Sequence, residues 1–351
     1  AFYNTPVTPA IVEQFLRQAP DLVAQARQRW SAPLVAGGVE AKVAAAVSAT
    51  AYRSGSIVVW SIKGGDGKTT VAVNLACLLA YVARKKVLLV DANMNGGNVV
   101  IHLNLPPGNC TIANLAADAL RSPQGLEPAM IKRRAMPVDR SIDPRTNRTE
   151  SNLDVIFGIT HIEQASDDGL NGETGLRFMT EVLRQARDLY DFVVVDLGSN
   201  TEIGPHRGAL AAADSVLFLC SSDKQSLHWN RDTVARLTDP RENALRKDKF
   251  KLVVNRYHPA DRVDLKDVAD YLQMPVVATI FEDTSRAVTV GINEGRPFVL
   301  DHMRPNNDPT VEQTLQGMLR VSEEVFPPMG QIIAARGGKK AGLLGGLIKR
   351  K

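Results

Sequence analysis

The sequence predicts an α/β fold built on a doubly wound, mostly parallel sheet, preceded by an N-terminal helical arm. Three observations carry that expectation. Short β-branched runs alternate with helical stretches from residue 55 onward. Several runs are continuously apolar, as strands covered on both faces are. A glycine-rich turn separates the first run from an apolar helix, the order of strand, loop and helix that a phosphate-binding loop requires. At 351 residues, 44% hydrophobic and 23% charged, the chain has enough apolar material for a sizeable core in one large or two ordinary domains.

Residues 1–54 are rich in Ala, Val and Gln and read as short helices, with Ile11, Phe15 and Leu16 at helical spacing. Strands are expected at Ile57–Trp60, Val87–Val90, Leu153–Ile156, Phe192–Val195, Ser215–Leu219, Leu252–Val254 and Val276–Thr279. Two stretches break this rhythm. Residues 132–150, with Lys132, Arg133, Arg134, Arg140, Pro137 and Pro144, form a polar, basic insertion expected to be a surface loop. After Pro328, Gly337 and Gly338 resemble a flexible link to a terminal segment. The expected organisation is an arm over 1–54, a body over 55–328, and a linker with a terminal segment over 329–351.

The net charge is +4, but residues 336–351 hold six basic side chains and no acidic one, so the rest of the chain stands at about −2. That balance argues against a nucleic-acid partner for the body. Cys77, Cys110 and Cys220 are far apart and form no C-x-x-C pair, which excludes a disulfide framework and a thiolate metal site and fits a reducing compartment. The chain contains no apolar run of 18 residues and no signal-like start. It opens on Ala1 without Met, so upstream residues are expected.

The candidate site begins at Lys63-Gly64-Gly65-Asp66-Gly67-Lys68-Thr69-Thr70. The glycines allow backbone N–H groups close to phosphate oxygens, the following helix adds positive potential at its N-terminus, Lys68 reaches the β- and γ-phosphates, and Thr69 offers a hydroxyl to Mg²⁺. The run Phe192 to Val195 ends in Asp196, an acid at the carboxyl edge of a strand expected to be buried, where a charge has few structural reasons to be.

K-G-G-x-G-K-T-T with its extra leading lysine resembles the deviant Walker A loop of the ParA/MinD family of P-loop ATPases. That resemblance implies a MinD/ParA-like fold over roughly residues 55–325, ATP and Mg²⁺ as cofactors, and a nucleotide-sandwich homodimer in which Lys63 reaches the partner's nucleotide. It further implies Asp91 as the first acid of a D-x-D segment, counted with Thr69 and Asp196 as the metal set. Val253-Val254-Asn255-Arg256 resembles the adenine-reading segment, so Asn255 and Arg256 join Gly64, Gly65, Asp66, Gly67, Lys68, Thr69 and Thr70 as nucleotide-binding residues. An [NT]-K-x-D guanine motif is absent, favouring ATP. The stretch from Gly96 to Leu105 is similar to the CpaE/TadZ branch, which helps position pilus assembly machinery.

Two positions depart from the family pattern. Asn93 stands where the D-x-D segment has its second carboxylate; an amide orients water but takes no proton, so slow hydrolysis is expected, with Lys63, Lys68 and Asn93 as the catalytic set. Asp66 replaces a small apolar residue, adds negative charge beside an anionic ligand, and is expected to point into solvent. At the C-terminus, Leu343, Leu344, Leu347 and Ile348 share one helical face between basic ends, which resembles the membrane-targeting helix of MinD-like proteins. Residues 339–351 are therefore expected to meet an anionic membrane surface from the cytoplasmic side. The resulting expectation is an ATP-dependent spatial regulator of pilus or secretion machinery. The alternatives are a nucleotide-binding scaffold without turnover and a partition ATPase that binds DNA nonspecifically.

Overall fold

The computed structural model describes residues 55–138, 151–241, 245–303 and 307–337. The expected N-terminal arm and the basic terminal segment from residue 338 lie outside the described residues.

The chain enters through β1 (Gly55–Trp60), whose Ile57 to Trp60 are buried, and turns into α1 (Lys68–Cys77), buried from Val71 to its end. Then follow β2 (Val87–Ala92), α2 (Val99–Leu103), α3 (Ile112–Arg121), α4 (Pro128–Arg134), β3 (Met136–Pro137) and β4 (Leu153–Ile156). The second half holds α5 (Gly172–Ala186), β5 (Phe192–Leu197), α6 (Gly204–Ala212), β6 (Ser215–Cys220), α7 (Lys224–Leu237), β7 (Phe250–Tyr257), α8 (Leu265–Leu272) and β8 (Val276–Phe281). Four helices close the described residues: α9 (Ala287–Asn293), α10 (Phe298–His302), α11 (Pro309–Val325) and α12 (Pro328–Gly337).

The sheet order is β3-β4-β2-β5-β1-β6-β7-β8, parallel throughout except for the β3–β4 pair. All seven expected strands are present. β3 escapes the sequence because two residues, one of them Pro137, are too short to show alternation; it pairs at the sheet's edge, where proline is tolerated. Because β1 is parallel to both β5 and β6, the loops leaving their carboxyl ends emerge together, and that edge is where open α/β sheets bind ligands.

Both faces are covered. Val71, Leu75 and Leu78 pack with Leu315, Met318, Phe326 and Met329 on one face, and Leu115, Met179, Leu183, Leu210 and Val234 pack on the other. This covering accounts for the unbroken apolar strands.

Two expected boundaries shift. The insertion expected over 132–150 is not a loop from its start: Lys132, Arg133 and Arg134 form the last turn of α4, and Val138 is buried. Arg134 donates to both carboxylate oxygens of Asp118, Arg133 joins at 2.9 Å, and Lys132 pairs with Asp154 at 3.2 Å. Acidic partners elsewhere in the fold, invisible to a linear reading, turn this basic run into a docked helix end. The expected linker from 329 likewise begins as helix α12, whose Met329 and Ile332 are fully buried. The described fold therefore continues past Pro328.

Candidate nucleotide site

The site is built from the carboxyl end of β1. Gly67 caps α1 in the left-handed conformation at φ 85°, and no side chain caps the first helical turn. The amides of that turn therefore remain available to an anion. A Cβ at Gly67 would also lie 2.4 Å from the Asn255 amide nitrogen and force that side chain to shift.

Lys68 follows at once. Its ammonium donates to the Lys63 carbonyl at 3.0 Å and to Ser199 Oγ at 2.8 Å, which holds it back over the loop. Burial lowers its pKa, opposed by Asp196 and Asp66. Thr69 Oγ1 donates to Asp196 Oδ2 at 2.7 Å, while Asp196 Oδ1 is buried with no hydrogen-bond partner. Among the described residues no cluster of three or more His, Cys, Asp or Glu side chains encloses a metal. A hydroxyl beside an orphaned carboxylate oxygen nevertheless fits Mg²⁺, which takes one or two protein oxygens and completes its shell with water and phosphate. Burial pushes Asp196 above the ordinary carboxylate range and the neighbouring Asp91 adds to the shift; a bound cation opposes both effects.

Asp91 lies directly opposite Asp196 on the adjacent strand. Expected among the metal ligands, it receives the Asn93 amide on Oδ1 and the Val99 amide on Oδ2, each at 3.1 Å. These bonds fasten the loop after β2. Asn93 is engaged in the same turn, donating to the Gly96 carbonyl at 2.9 Å and accepting from the Asn95 amide at 3.1 Å.

Asp66 does not point into solvent. It is 4% exposed, and its carboxylate accepts from Ser61 Oγ at 2.7 Å and from Ser221 Oγ at 3.2 Å. Burial raises its pKa against these hydroxyls and the nearby lysines. The two hydroxyls make an inward orientation tolerable for a charged group, leaving the backbone of this residue to the loop. Asn255 Nδ2 donates to the Asp66 carbonyl at 2.7 Å, so the adenine-reading candidate also braces the loop from beneath. Arg256 beside it is exposed, left-handed at φ 55°, and sits at a register shift between β7 and β8. Gly64 and Gly65 form the exposed outer turn, and Thr70 lies in the first turn of α1.

The Lys63 ammonium, expected to serve a partner subunit, pairs within the chain with Asp223 Oδ2 at 3.1 Å. Asp223 caps α7, accepting from the Ser226 amide at 2.8 Å and from Ser221 Oγ at 2.6 Å. Ser199, Ser221, Asp223 and His206 escape a sequence reading. Ser199 stands three positions after Asp196, and Asp-x-x-Ser at 223–226 is a helix-start pattern, but their convergence on the loop comes from separate strands.

A buried strand, a glycine-rich turn, an open helix N-terminus and a Thr–Asp pair at the carboxyl edge of a parallel sheet define a P-loop nucleotide-binding protein. The AAA domain model AAA_31 matches residues 54–237. The septum site-determining protein MinD of Synechocystis is 26% identical over 250 residues, 70% of this chain and 82% of that protein. Among solved structures, the septum site-determining protein MinD of Pyrococcus horikoshii complexed with Mg-ADP aligns at a TM-score of 0.59 and 21% identity over 79% of this chain and 98% of its own. A ParA family ATPase from Chlorobium tepidum aligns at 0.60 and 17%, over 77% and 98%. The chain belongs to this AAA domain family, within the ParA/MinD group of P-loop ATPases.

Proposed function

We propose that this protein is an ATP-dependent spatial regulator that dimerises around Mg-ATP, attaches to an anionic membrane surface and positions pilus or secretion machinery. The observation that carries the nucleotide part is the convergence of open α1 amides, the Lys68 ammonium and the Thr69–Asp196 pair with its orphaned oxygen. The solved relative complexed with Mg-ADP supports the same ligand.

In this reading the loop amides and Lys68 bind the phosphates, Thr69 and Asp196 hold Mg²⁺, and Asn255 orients the base end while bracing the loop. Mg²⁺ supplies charge stabilisation of the transferred phosphoryl group. Lys63 leaves Asp223 and crosses to the partner's nucleotide. Hydrolysis is slow because the Asn93 amide, already engaged in its own turn, accepts no proton. The membrane part rests on the sequence of residues 339–351, and the pilus part on the similarity of the Gly96–Leu105 stretch to the CpaE/TadZ branch.

A nucleotide-binding scaffold without turnover is the second reading, favoured by the self-satisfied Asn93. A DNA-partition role is weaker still, since Lys132, Arg133 and Arg134 are each paired with carboxylates. Size-exclusion chromatography tests the proposal. Mg-ATP is expected to convert the native chain to a dimer and to leave Lys63→Ala monomeric; a native chain that elutes identically with and without Mg-ATP overturns it.

A further inference from the structure

His206 lies in the first turn of α6, fully buried, between the loop after β2 and the loop after β5. Its Nδ1 is 2.5 Å from the Asn200 carbonyl, and its Nε2 is 2.9 Å from the Ala92 carbonyl and 3.3 Å from the Met94 amide. Asn200 follows Ser199, the residue that receives the Lys68 ammonium. Ala92 and Met94 flank Asn93. A path thus runs from Lys68 to Ser199 by a hydrogen bond, along the chain to Asn200, and from the Asn200 carbonyl through His206 to the backbone on both sides of Asn93. The packing around the ring leaves no slack: a Cβ on Gly198 would lie 2.4 Å from the imidazole Cε1 and 2.7 Å from Asn93 Oδ1.

The ring faces two carbonyls with one proton to give. Burial holds His206 below the ordinary histidine range, and the Lys68 charge adds to that effect. A neutral imidazole has a single N–H. With the proton on Nδ1, the ring donates to Asn200 and accepts the Met94 amide on Nε2. With the proton on Nε2, it donates to Ala92 and gives up both of those contacts. The two arrangements form a two-state element that either loop can bias.

We propose that His206 is a positioning residue that relays the occupancy of the phosphate site to Asn93. The inference rests on the nucleotide-binding reading above. Phosphate draws the Lys68 ammonium away from Ser199, the 199–200 backbone shifts, and the imidazole exchanges its bond to Asn200 for one to Ala92. The turn that holds Asn93 then rearranges.

Two substitutions separate this role from simple packing. In His206→Asn the amide occupies the position of Nδ1 and keeps the Asn200 contact alone. In His206→Gln it reaches towards Ala92 and gives up Asn200. Hydrogen exchange of the full chain with and without Mg-ATP, alongside single-turnover hydrolysis and ATP titration, reads the coupling. In the native protein Mg-ATP is expected to slow exchange over 95–98 and 198–203, while the Met94 amide, which loses its Nε2 acceptor, exchanges faster. In each variant it protects 198–203 but no longer 95–98, and the hydrolysis rate falls at least tenfold while ATP affinity changes less than threefold. Variants that keep ATP-dependent protection of both loops and native rates overturn the relay. Variants whose ATP affinity falls in step with rate and thermal stability also overturn it, since that is the mark of a packing residue. A native chain in which Mg-ATP protects neither loop removes the nucleotide-switch reading itself, and the relay with it.

Discussion

Asp66 shows how a charge next to an anion site is accommodated. Its carboxylate is buried and held by Ser61 and Ser221, whose hydrogen bonds to the charged form offset only part of the cost of burial, so its pKa stays raised. Asp66→Asn keeps the shape and removes the charge, and isothermal titration is expected to show Mg-ATP binding several-fold tighter than in the native chain. Asp66→Ala removes one acceptor from each hydroxyl, while Ser61 keeps the Lys63 carbonyl and Ser221 keeps Asp223, and unfolding is expected to show a loss of about 0.5–1.5 kcal/mol. At Asn93, restoring a carboxylate supplies the missing base but sets it against the Gly96 carbonyl. Asn93→Asp is expected to raise single-turnover hydrolysis about 10²-fold, with faster hydrogen exchange over 93–96. An unchanged rate would show that a missing base does not limit hydrolysis.

At the scale of elements, the docking of α4 on α3 depends on an ion cluster. Hydrogen bonds from Arg134, and then from Arg133, hold the Asp118 carboxyl down at about 2. A depressed carboxylate stabilises the fold fully above its unfolded pKa of about 3.9, and that contribution is lost as pH falls through about 2. Asp118→Asn is therefore expected to lower the thermal midpoint at pH 7, by about 1–2 kcal/mol of stability, and to match the native chain near pH 2. A constant difference across that range would show that the cluster is not the cause. Helix α12 makes a similar claim at the other end. Met329→Ala empties a fully buried position and is expected to cost about 2–5 kcal/mol, whereas truncation after residue 337 leaves the midpoint within a few degrees. These elements explain what a linear reading missed: Arg134 and Met329 look like loop and linker until each helix folds back on the one before it, α4 on Asp118 of α3 and α12 on the face of α11.

For the whole molecule, the proposed membrane step is electrostatic at its edges and apolar at its centre. Co-sedimentation of the full chain with anionic vesicles in Mg-ATP is expected to fall as ionic strength rises and to vanish on removal of residues 338–351, with dimerisation intact. Equal binding with and without that segment sinks the membrane reading. The sequence by itself determined the fold class, the seven principal strands and the phosphate loop, because these are local: continuous apolar runs, and glycines at fixed offsets before Lys68 and Thr69. Only the tertiary structure decided the strand order, the inward turn of Asp66, the pairing of Lys63 with Asp223, and the seating of His206 between two loops. Each of those depends on residues brought together from different strands by the parallel sheet, which gathers its loops at one edge however far apart they lie in the chain.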